Sequence, residues 1–328
     1  MTAINEQIKP WRPSRPTSKG AIAFHDAVEK STWIKDIIYE LSKIVGPKIH
    51  NGDVVVDFGA GTGTSATLLL KHIKQQITLW LVDNSQSWLG KAYEILHKLP
   101  NVEYFVLEKK DSRYATLSET VGREVVNHVI SANTMHLIPD IKEVFAGINI
   151  ALKEGGTFIF QTGNFIRKDA PEGALLIDDT VETVHDMALD IVRTDSRFET
   201  YREGMDERIK IEGKQRKFVF PDPRPVEFYL EKLKETGFGA QDPIFIPVKV
   251  RYDDWLNFLR VKRLQAGILP EIGGKNPSPE AEKDRDTLIT ESALKLFKDL
   301  EENNPLADDK AFTIDIAYIL SKKEKNVK

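Results

Sequence analysis

Three glycines follow a short run of apolar residues in the first fifth of the chain. Val54–Phe58 is followed by Gly59, Gly61 and Gly63, and a helical pattern begins at Thr64. Glycines at such a strand-to-helix turn let the backbone bend sharply and let a ligand approach without meeting a Cβ atom. Free N–H groups at the start of the helix add hydrogen-bond donors and a positive partial charge. The spacing therefore predicts a ligand-binding turn.

Three ligand classes use a turn of this kind, and the residues around Gly63 discriminate among them. A phosphate-binding P-loop requires Gly-Lys-Ser/Thr, and no lysine follows Gly63. The dinucleotide fingerprint is Gly-x-Gly-x-x-Gly/Ala, and Thr64 occupies its third small position, which disfavours a nicotinamide oxidoreductase. The third class is a site for S-adenosylmethionine, and the motifs further along the chain favour it.

Three motifs in order resemble the class I S-adenosylmethionine-dependent methyltransferases. The first motif of that family is an apolar strand, an acid and Gly-x-Gly-x-Gly, as in VVDFGAGTG at residues 55–63. The second strand of the family ends in an acid that holds the ribose hydroxyls, as in LVDNSQSWL at residues 81–89. The turn LKEGG at residues 152–156 also matches. The resemblance covers residues 50–165 well, and residues 225–255 and 311–322 loosely.

The resemblance implies which residues surround the cofactor. Asp83 is predicted to accept both ribose hydroxyls, whereas Asp57 either organises the turn or receives the methionine ammonium through water. An adenine contact is expected after the third strand, where Glu108 competes with the pair Asp111-Ser112. The predicted cofactor-binding residues are Asp57, Gly59, Ala60, Gly61, Gly63, Asp83, Asn84, Glu108, Asp111, Ser112, Ser131, Ala132 and Asn133.

His136 is the candidate catalytic residue, because many enzymes of this family carry a histidine near the reaction centre. The alternative interpretation is a buried, hydrogen-bonded structural histidine. A general base adds about 10²–10⁴-fold in rate, and only where the acceptor must lose a proton. A carboxylate acceptor would need no base but a cationic clamp. Four arginines could supply that clamp: Arg167, Arg202, Arg224 and Arg251.

Apolar strands alternate with helical segments from residue 53 to about residue 162, which predicts a parallel sheet covered on both faces. Strands are expected at 54–58, 78–82, 102–107, 125–131, 157–162, 244–250 and 312–320. The fold class is α/β, with a doubly wound, mostly parallel seven-stranded sheet, an N-terminal helical extension and helical insertions.

The domain organisation follows from where this alternation breaks. Residues 1–49 form an arm and helices, and residues 50–165 form the cofactor-binding core. Residues 166–224 are a helical insertion, and residues 225–328 complete the core around a second insertion at about 256–310. We expect the extension and the first insertion to cover a small acceptor, since such additions often cap the pocket in this family.

Composition narrows the possible partners and locations. Acidic residues (50) slightly outnumber basic residues (46), which argues against a nucleic-acid partner. The chain has no cysteine, and no apolar run approaches the roughly 18 residues of a membrane span. No clustered His/Asp/Glu pattern indicates a metal, and the cytoplasm is the expected location.

The sequence therefore predicts methyl transfer from S-adenosylmethionine to a small-molecule acceptor, with S-adenosylhomocysteine as the product. O-methylation is favoured over N- or C-methylation. Two alternatives remain: a protein or nucleic-acid methyltransferase, and a non-catalytic subunit that binds the cofactor.

Overall fold

The computed structural model describes residues 9–325, apart from the side chain of Gln215, and its centre is an eight-stranded β-sheet. The strands are β1 (Val54–Phe58), β2 (Thr78–Asp83), β3 (Val102–Val106), β4 (Val126–Ala132), β5 (Leu152–Thr162), β6 (Phe238–Ala240), β7 (Ile244–Arg251) and β8 (Ala311–Lys323). The helices are α1 (Lys19–Lys30), α2 (Thr32–Val45), α3 (Thr64–His72), α4 (Gln86–Leu96), α5 (Leu117–Val121), α6 (Ile141–Ala151), α7 (Ile177–Thr194), α8 (Met205–Val219), α9 (Val226–Glu235), α10 (Tyr252–Leu259), α11 (Lys262–Ile268) and α12 (Pro279–Asn303).

The strand order confirms the predicted fold class. The order is β3-β2-β1-β4-β5-β8, and β6 and β7 both pair with the outer side of β8. The first five strands are parallel, while β8 runs antiparallel to its neighbours. The sheet has eight strands rather than the predicted seven. The chain that pairs with the outer side of β8 is interrupted at residues 241–243 and therefore forms two strands, β6 and β7. Pro243 lies in this interruption and has no N–H to donate.

The parallel strands are buried on both faces, as their continuous apolar sequences predict. Along β1 and β2, Val55 and Leu81 belong to one core layer, and Val56 and Val82 to the other. The register pairs Phe58 with Val82, so that these strands end at the same edge of the sheet. Ligands of doubly wound sheets bind at this carboxyl edge, and the glycine turn lies there.

The N-terminal segment forms two helices with a break at Ser31. The Ser18 hydroxyl caps α1 by accepting from the backbone N–H of Ala21 at 3.2 Å, and the N–H of Ser31 closes α1 on Ala27 and Val28. α2 buries an apolar face that includes Trp33 and Ile37, and the Tyr318 hydroxyl of β8 donates to the carbonyl of Ile37 at 3.0 Å. The extension is therefore anchored on the sheet.

The two predicted insertions pack against each other. α7 and α8 lie in residues 166–224, and the 25-residue helix α12, in the second insertion, packs along α7. A polar contact also joins them, since His185 Nε2 lies 3.2 Å from Glu271 Oε1. The irregular stretch expected after Trp255 is limited to residues 269–278, and helices occupy most of the rest. Within residues 9–325, no helix has the length and apolar character needed to cross a membrane.

Candidate active site

The glycine turn is held in a conformation that favours glycine at each of its three positions. Gly59, Gly61 and Gly63 have φ values of 73°, 54° and 85°. A Cβ atom on Gly59 would lie 2.4 Å from Thr134 Cγ2, and one on Gly63 would lie 2.9 Å from the Cβ of Ala92. Since side chains rarely adopt positive φ, both backbone conformation and packing require glycine here.

Asp83, at the end of β2, holds the turn through both of its oxygens. Oδ2 accepts from the N–H of Gly61 at 2.9 Å, and Oδ1 accepts from the N–H of Ser85 at 2.7 Å. Burial raises the pKa of Asp83, and these backbone donors and Arg263 oppose the rise. Each carboxylate oxygen keeps a further lone pair, so the group can still accept from a ligand hydroxyl.

Asp57, at the end of β1, is fully buried beneath the turn. Its Oδ2 accepts from the Ser65 hydroxyl at 2.5 Å, and its Oδ1 has no partner among the described residues. Burial raises the pKa of Asp57 to about 7, although the hydrogen bond from Ser65 opposes this rise. Asp57 does not line the cavity above the turn. This position favours the first of its two predicted roles, the organisation of the turn.

A cavity of about 810 Å³ lies at the carboxyl edge of the sheet, and it contains most of the predicted site. The predicted residues that line the cavity are Gly59, Ala60, Gly61, Asp83, Asn84, Ser112, Ala132, Asn133 and His136. The predicted residues outside the lining are Asp57, Gly63, Glu108, Asp111 and Ser131. Glu108 and Asp111 are exposed beside a small hairpin, and Ser131 instead donates to the carbonyl of Phe58 at 2.7 Å.

The other half of the cavity is mainly apolar and comes from segments outside the predicted core. Its side chains belong to α1, α2, α10, α11 and the end of α8. They are Phe24, Val28, Trp33, Ile34, Ile38, Phe218, Val219, Phe220, Phe258 and Leu264. The cofactor residues of the turn and this apolar pocket therefore share one continuous space.

His136 lines the cavity, and a hydrogen bond with Thr162 fixes its imidazole. Its Nδ1 lies 3.1 Å from the Thr162 hydroxyl, which also accepts from the backbone N–H of Asn164 at 3.0 Å. Burial lowers the pKa of His136 to about 4, and the Arg224 guanidinium acts in the same direction. The imidazole is therefore neutral near pH 7.

The comparisons with known proteins agree with this geometry. A family model described as a methyltransferase domain matches residues 49–206, which include the turn, Asp83 and His136. Residues 49–206 therefore match a methyltransferase domain, as the motifs of the sequence predict. This match agrees with the methyltransferase activity that the sequence predicts. A comparison with curated proteins finds no match.

The chain is also similar to solved structures at low sequence identity. Phosphoethanolamine N-methyltransferase 2 of Haemonchus contortus, in complex with S-adenosyl-L-methionine, is 17% identical with a TM-score of 0.50. The match covers 93% of this chain and 57% of that one. The YcgJ protein of Bacillus subtilis is 13% identical with a TM-score of 0.49, over 89% of this chain and 99% of that one.

The residues present fit S-adenosylmethionine, the cofactor that the sequence predicts. Asp83 offers carboxylate oxygens to ribose hydroxyls, and the turn exposes backbone rather than side chains. Trp88 lies over the turn, because a Cβ on Gly61 would be 3.3 Å from its ring. No group of three or more metal-ligating side chains occurs within residues 9–325, and the expectation of no metal stays a prediction.

Three side chains stack over the glycine turn, and none of them is among the predicted site residues. The Phe24 ring lies 4.4 Å from the Trp88 ring, and the Arg263 guanidinium lies 4.5 Å from the centroid of the Trp88 indole. Phe24 and Arg263 come from α1 and α11. No local motif marks either residue, because only the packing of distant segments brings them to Asp83 and Gly61.

The structure accounts differently for the four arginines that could clamp a carboxylate. Arg167 donates to Asp315 at 2.7 Å, Arg202 donates to the carbonyls of Val192 and Asp195, and Arg251 donates to Asp253 at 3.1 Å. Arg224 stands near His136, but it does not line the cavity. None of the four is therefore placed to hold an acceptor directly.

Proposed function

We propose that this methyltransferase transfers the methyl group of S-adenosylmethionine to an oxygen atom of a small molecule. One observation carries the proposal: the cavity of about 810 Å³ joins the cofactor turn to an apolar pocket. That pocket is roofed by α1, α2, α8, α10 and α11, which leave room for a compact acceptor beside the turn. Small-molecule sites are commonly concave, mostly apolar and fitted with a few polar groups.

The cofactor is held, in this proposal, along the carboxyl edge of the first four strands. Asp83 receives the ribose hydroxyls, and Gly59 to Gly61 pass beneath the methionine part. Ser112, Ala132 and Asn133 border the adenine and sulfonium regions. Asp57 positions the turn from below through Ser65. Arg263 faces Asp83 from the opposite wall, and the two charges attract each other.

The cofactor supplies a methyl group already activated by the positive sulfur, so the protein mainly provides position. Holding the acceptor oxygen in line with the methyl carbon is worth roughly 7–11 kcal/mol of the barrier. The apolar side chains of the pocket exclude water from the reacting atoms. His136 at the pocket wall is neutral near pH 7, so it adds no charge of its own beside the reacting atoms.

Incubation with methyl-labelled cofactor tests this function. The acceptor panel should contain phenols, aliphatic alcohols, amines and carboxylic acids matched in carbon skeleton, together with transfer RNA and histone peptides. We expect label in the oxygen of a hydroxyl compound, identified by mass spectrometry, and no label in the macromolecules. The Asp83→Ala variant serves as the control, and it should transfer less label because it binds the cofactor more weakly. Label in RNA or peptide, or labelled product from no acceptor class, would contradict the proposal.

A further inference from the structure

Two polar residues from different segments belong to the wall of the cavity. Asn164 follows β5, and Asp178 lies in the first turn of α7; both line the cavity. The side chain of Ile177 packs where β5 ends, since its Cδ1 lies 3.3 Å from the position of a Cβ on Gly163. The start of α7 is therefore seated directly beside Asn164.

Both residues carry a buried oxygen that lacks a partner. Asp178 and Asn164 are each only 6% exposed. The Oδ1 atoms of both side chains are buried and accept no hydrogen bond from the described residues. Asn164 is fixed in this orientation, because its Nδ2 donates to the carbonyl of Pro221 at 2.7 Å. Buried acceptors without partners are costly, and two of them in side chains that line one cavity indicate a missing donor.

The charged groups around Asp178 do not supply that donor. The cations that face it are Lys217 and Arg216 of α8, and the acids are Asp179 of α7 and Asp222. Lys217 is 2.6 Å from both Glu182 and Asp222, and Arg216 pairs with Glu182. Lys217 is thus engaged elsewhere, and Arg216, whose Nη1 has no partner among the described residues, forms no hydrogen bond with Asp178 Oδ1.

Nor does the helix explain a buried acid at this position. An acid in the first turn stabilises a helix through its dipole and free N–H groups. The exposed Asp179 already serves this role, since its Oδ2 accepts from the N–H of Leu176 at 3.4 Å. Asp178 stands one residue earlier and lines the cavity instead.

We propose that Asp178 and Asn164 form the acceptor subsite, where they bind the hydroxyl group of an otherwise apolar molecule and Asp178 takes its proton. The inference rests on the proposed function and names its substrate class. The acceptor O–H bond breaks as its oxygen bonds to the methyl carbon. The C–S bond breaks with its electron pair left on sulfur, and the proton moves to the Asp178 carboxylate.

The surroundings favour a hydroxyl over a carboxylate, and Asp178 over His136. Two acceptor oxygens would repel a carboxylate ligand, whereas they complement a group that donates. Burial raises the pKa of the Asp178 carboxyl, which makes it a stronger base than an ordinary aspartate. The pKa of His136, by contrast, is lowered to about 4, so its imidazole holds a proton poorly.

The first test is a binding measurement that needs no turnover. The probes are 4-methylphenol and toluene, titrated into the protein saturated with S-adenosylhomocysteine. We expect the wild type to bind 4-methylphenol at least tenfold more tightly than toluene. Asp178→Ala and Asn164→Ala should each reduce this preference to below threefold, and the matched control Asp179→Ala should keep it. An unchanged preference in Asp178→Ala would overturn the subsite.

The second test assigns the base, with the hydroxyl acceptor identified in the labelled panel. Asp178→Asn should lower kcat by about 10²–10⁴-fold without altering the Kd of S-adenosylhomocysteine. His136→Gln should lower kcat less than tenfold. The loss in Asp178→Asn should shrink for acceptors of lower hydroxyl pKa, because these are already partly ionised.

The reverse result, a large loss only in His136→Gln, would overturn the proton transfer to Asp178. If the panel shows no product, the proposed function fails, and the binding test still decides on the subsite.

Discussion

Asp83 combines two tasks in one carboxylate. It fixes the turn through the N–H groups of Gly61 and Ser85, and it presents its remaining lone pairs to the cavity. Asp83→Ala removes both contributions. Hydrogen bonds to a charged group are worth about 1.5–3 kcal/mol, so the affinity for S-adenosylhomocysteine should fall roughly tenfold to a hundredfold. Titration calorimetry measures this. Asp111→Ala is the control, since Asp111 lies outside the cavity lining, and it should bind as the wild type does.

Asp57 makes the stability of the fold depend on pH. Its pKa rises from 3.8 to about 7 on folding, so the protonated form is favoured in the folded state. The stabilisation of the fold by the protonated Asp57 is fully present below about pH 4, and it is lost as the pH rises through 7. Asp57→Asn imitates the protonated acid, so its stability relative to wild type should increase by about 3 kcal/mol between pH 5 and pH 8.

Urea unfolding at the two pH values measures this difference. Asp190→Asn, an exposed acid on α7, is the control, and its stability relative to wild type should not change with pH. A constant difference for Asp57→Asn would show that the buried carboxyl does not titrate in this range.

Local spacing predicted the residues around the glycine turn, whereas it gave no signal for the residues that we propose for the acceptor subsite. Gly59, Gly61 and Asp83 stand at fixed distances from strand ends, so the sequence alone places them together. Asp178 and Arg263 lie about 100 and 180 residues further along the chain than Asp83. Their place at the cavity depends on how helices of the insertions pack, and no short-range pattern encodes that.

At the level of elements, the turn between β1 and α3 limits the substitutions that the site tolerates. Gly61 has φ of 54°, and its Cβ would lie 3.3 Å from the ring of Trp88. Gly61→Ala should cost about 1–2 kcal/mol in the free energy of unfolding and weaken S-adenosylhomocysteine binding more than tenfold.

Thermal unfolding and calorimetry measure the two effects. Gly213→Ala in α8 is the matched control, because no atom lies within 4 Å of its Cβ position and its backbone is helical. That variant should gain about 0.5–1 kcal/mol and bind normally. Normal binding in Gly61→Ala would show that the turn is structural only.

Elements with strong local signals were predicted almost to the residue, and elements without them were not. β1 spans Val54–Phe58 as expected, since a run of valines between turns leaves few other conformations. The short strand β6 and the helix α12 were not identified. β6 is only three residues long, and α12 begins directly after a stretch rich in proline and glycine, which conceals its start.

At the level of the whole molecule, three segments far apart in the chain form one cover. α1 packs against α4, α10 and α11, and α7 packs against α11 and α12. The sequence predicted a cap from residues 1–45 and 165–224. The second insertion takes part as well, because Phe258, Arg263 and Leu264 line the cavity. Cofactor binding and closure of the acceptor pocket should therefore be coupled.

Arg263 is where this coupling can be tested. Its guanidinium stacks on Trp88 and faces Asp83, so it joins α11 to the cofactor turn. A cation–π contact of this kind is worth about 1 kcal/mol, so Arg263→Ala should weaken S-adenosylhomocysteine binding roughly fivefold. Arg260→Ala, which removes a pair with Asp286 nearby, should not change the affinity.

Hydrogen exchange with mass spectrometry gives the spatial readout of the same prediction. Binding of S-adenosylhomocysteine should slow amide exchange in α1 and α11 together with residues 57–63 and 83–89. The reason is that Phe24 of α1 and Arg263 of α11 both stack on Trp88 over the turn. In Arg263→Ala the slowing should persist in α1, which keeps the Phe24–Trp88 contact, and should disappear from α11. The strands of the sheet should change little, since their amides are already protected in the free protein. If binding slows amide exchange only at the turn of the wild type, the predicted coupling is wrong. The acceptor pocket would then form independently of the cofactor.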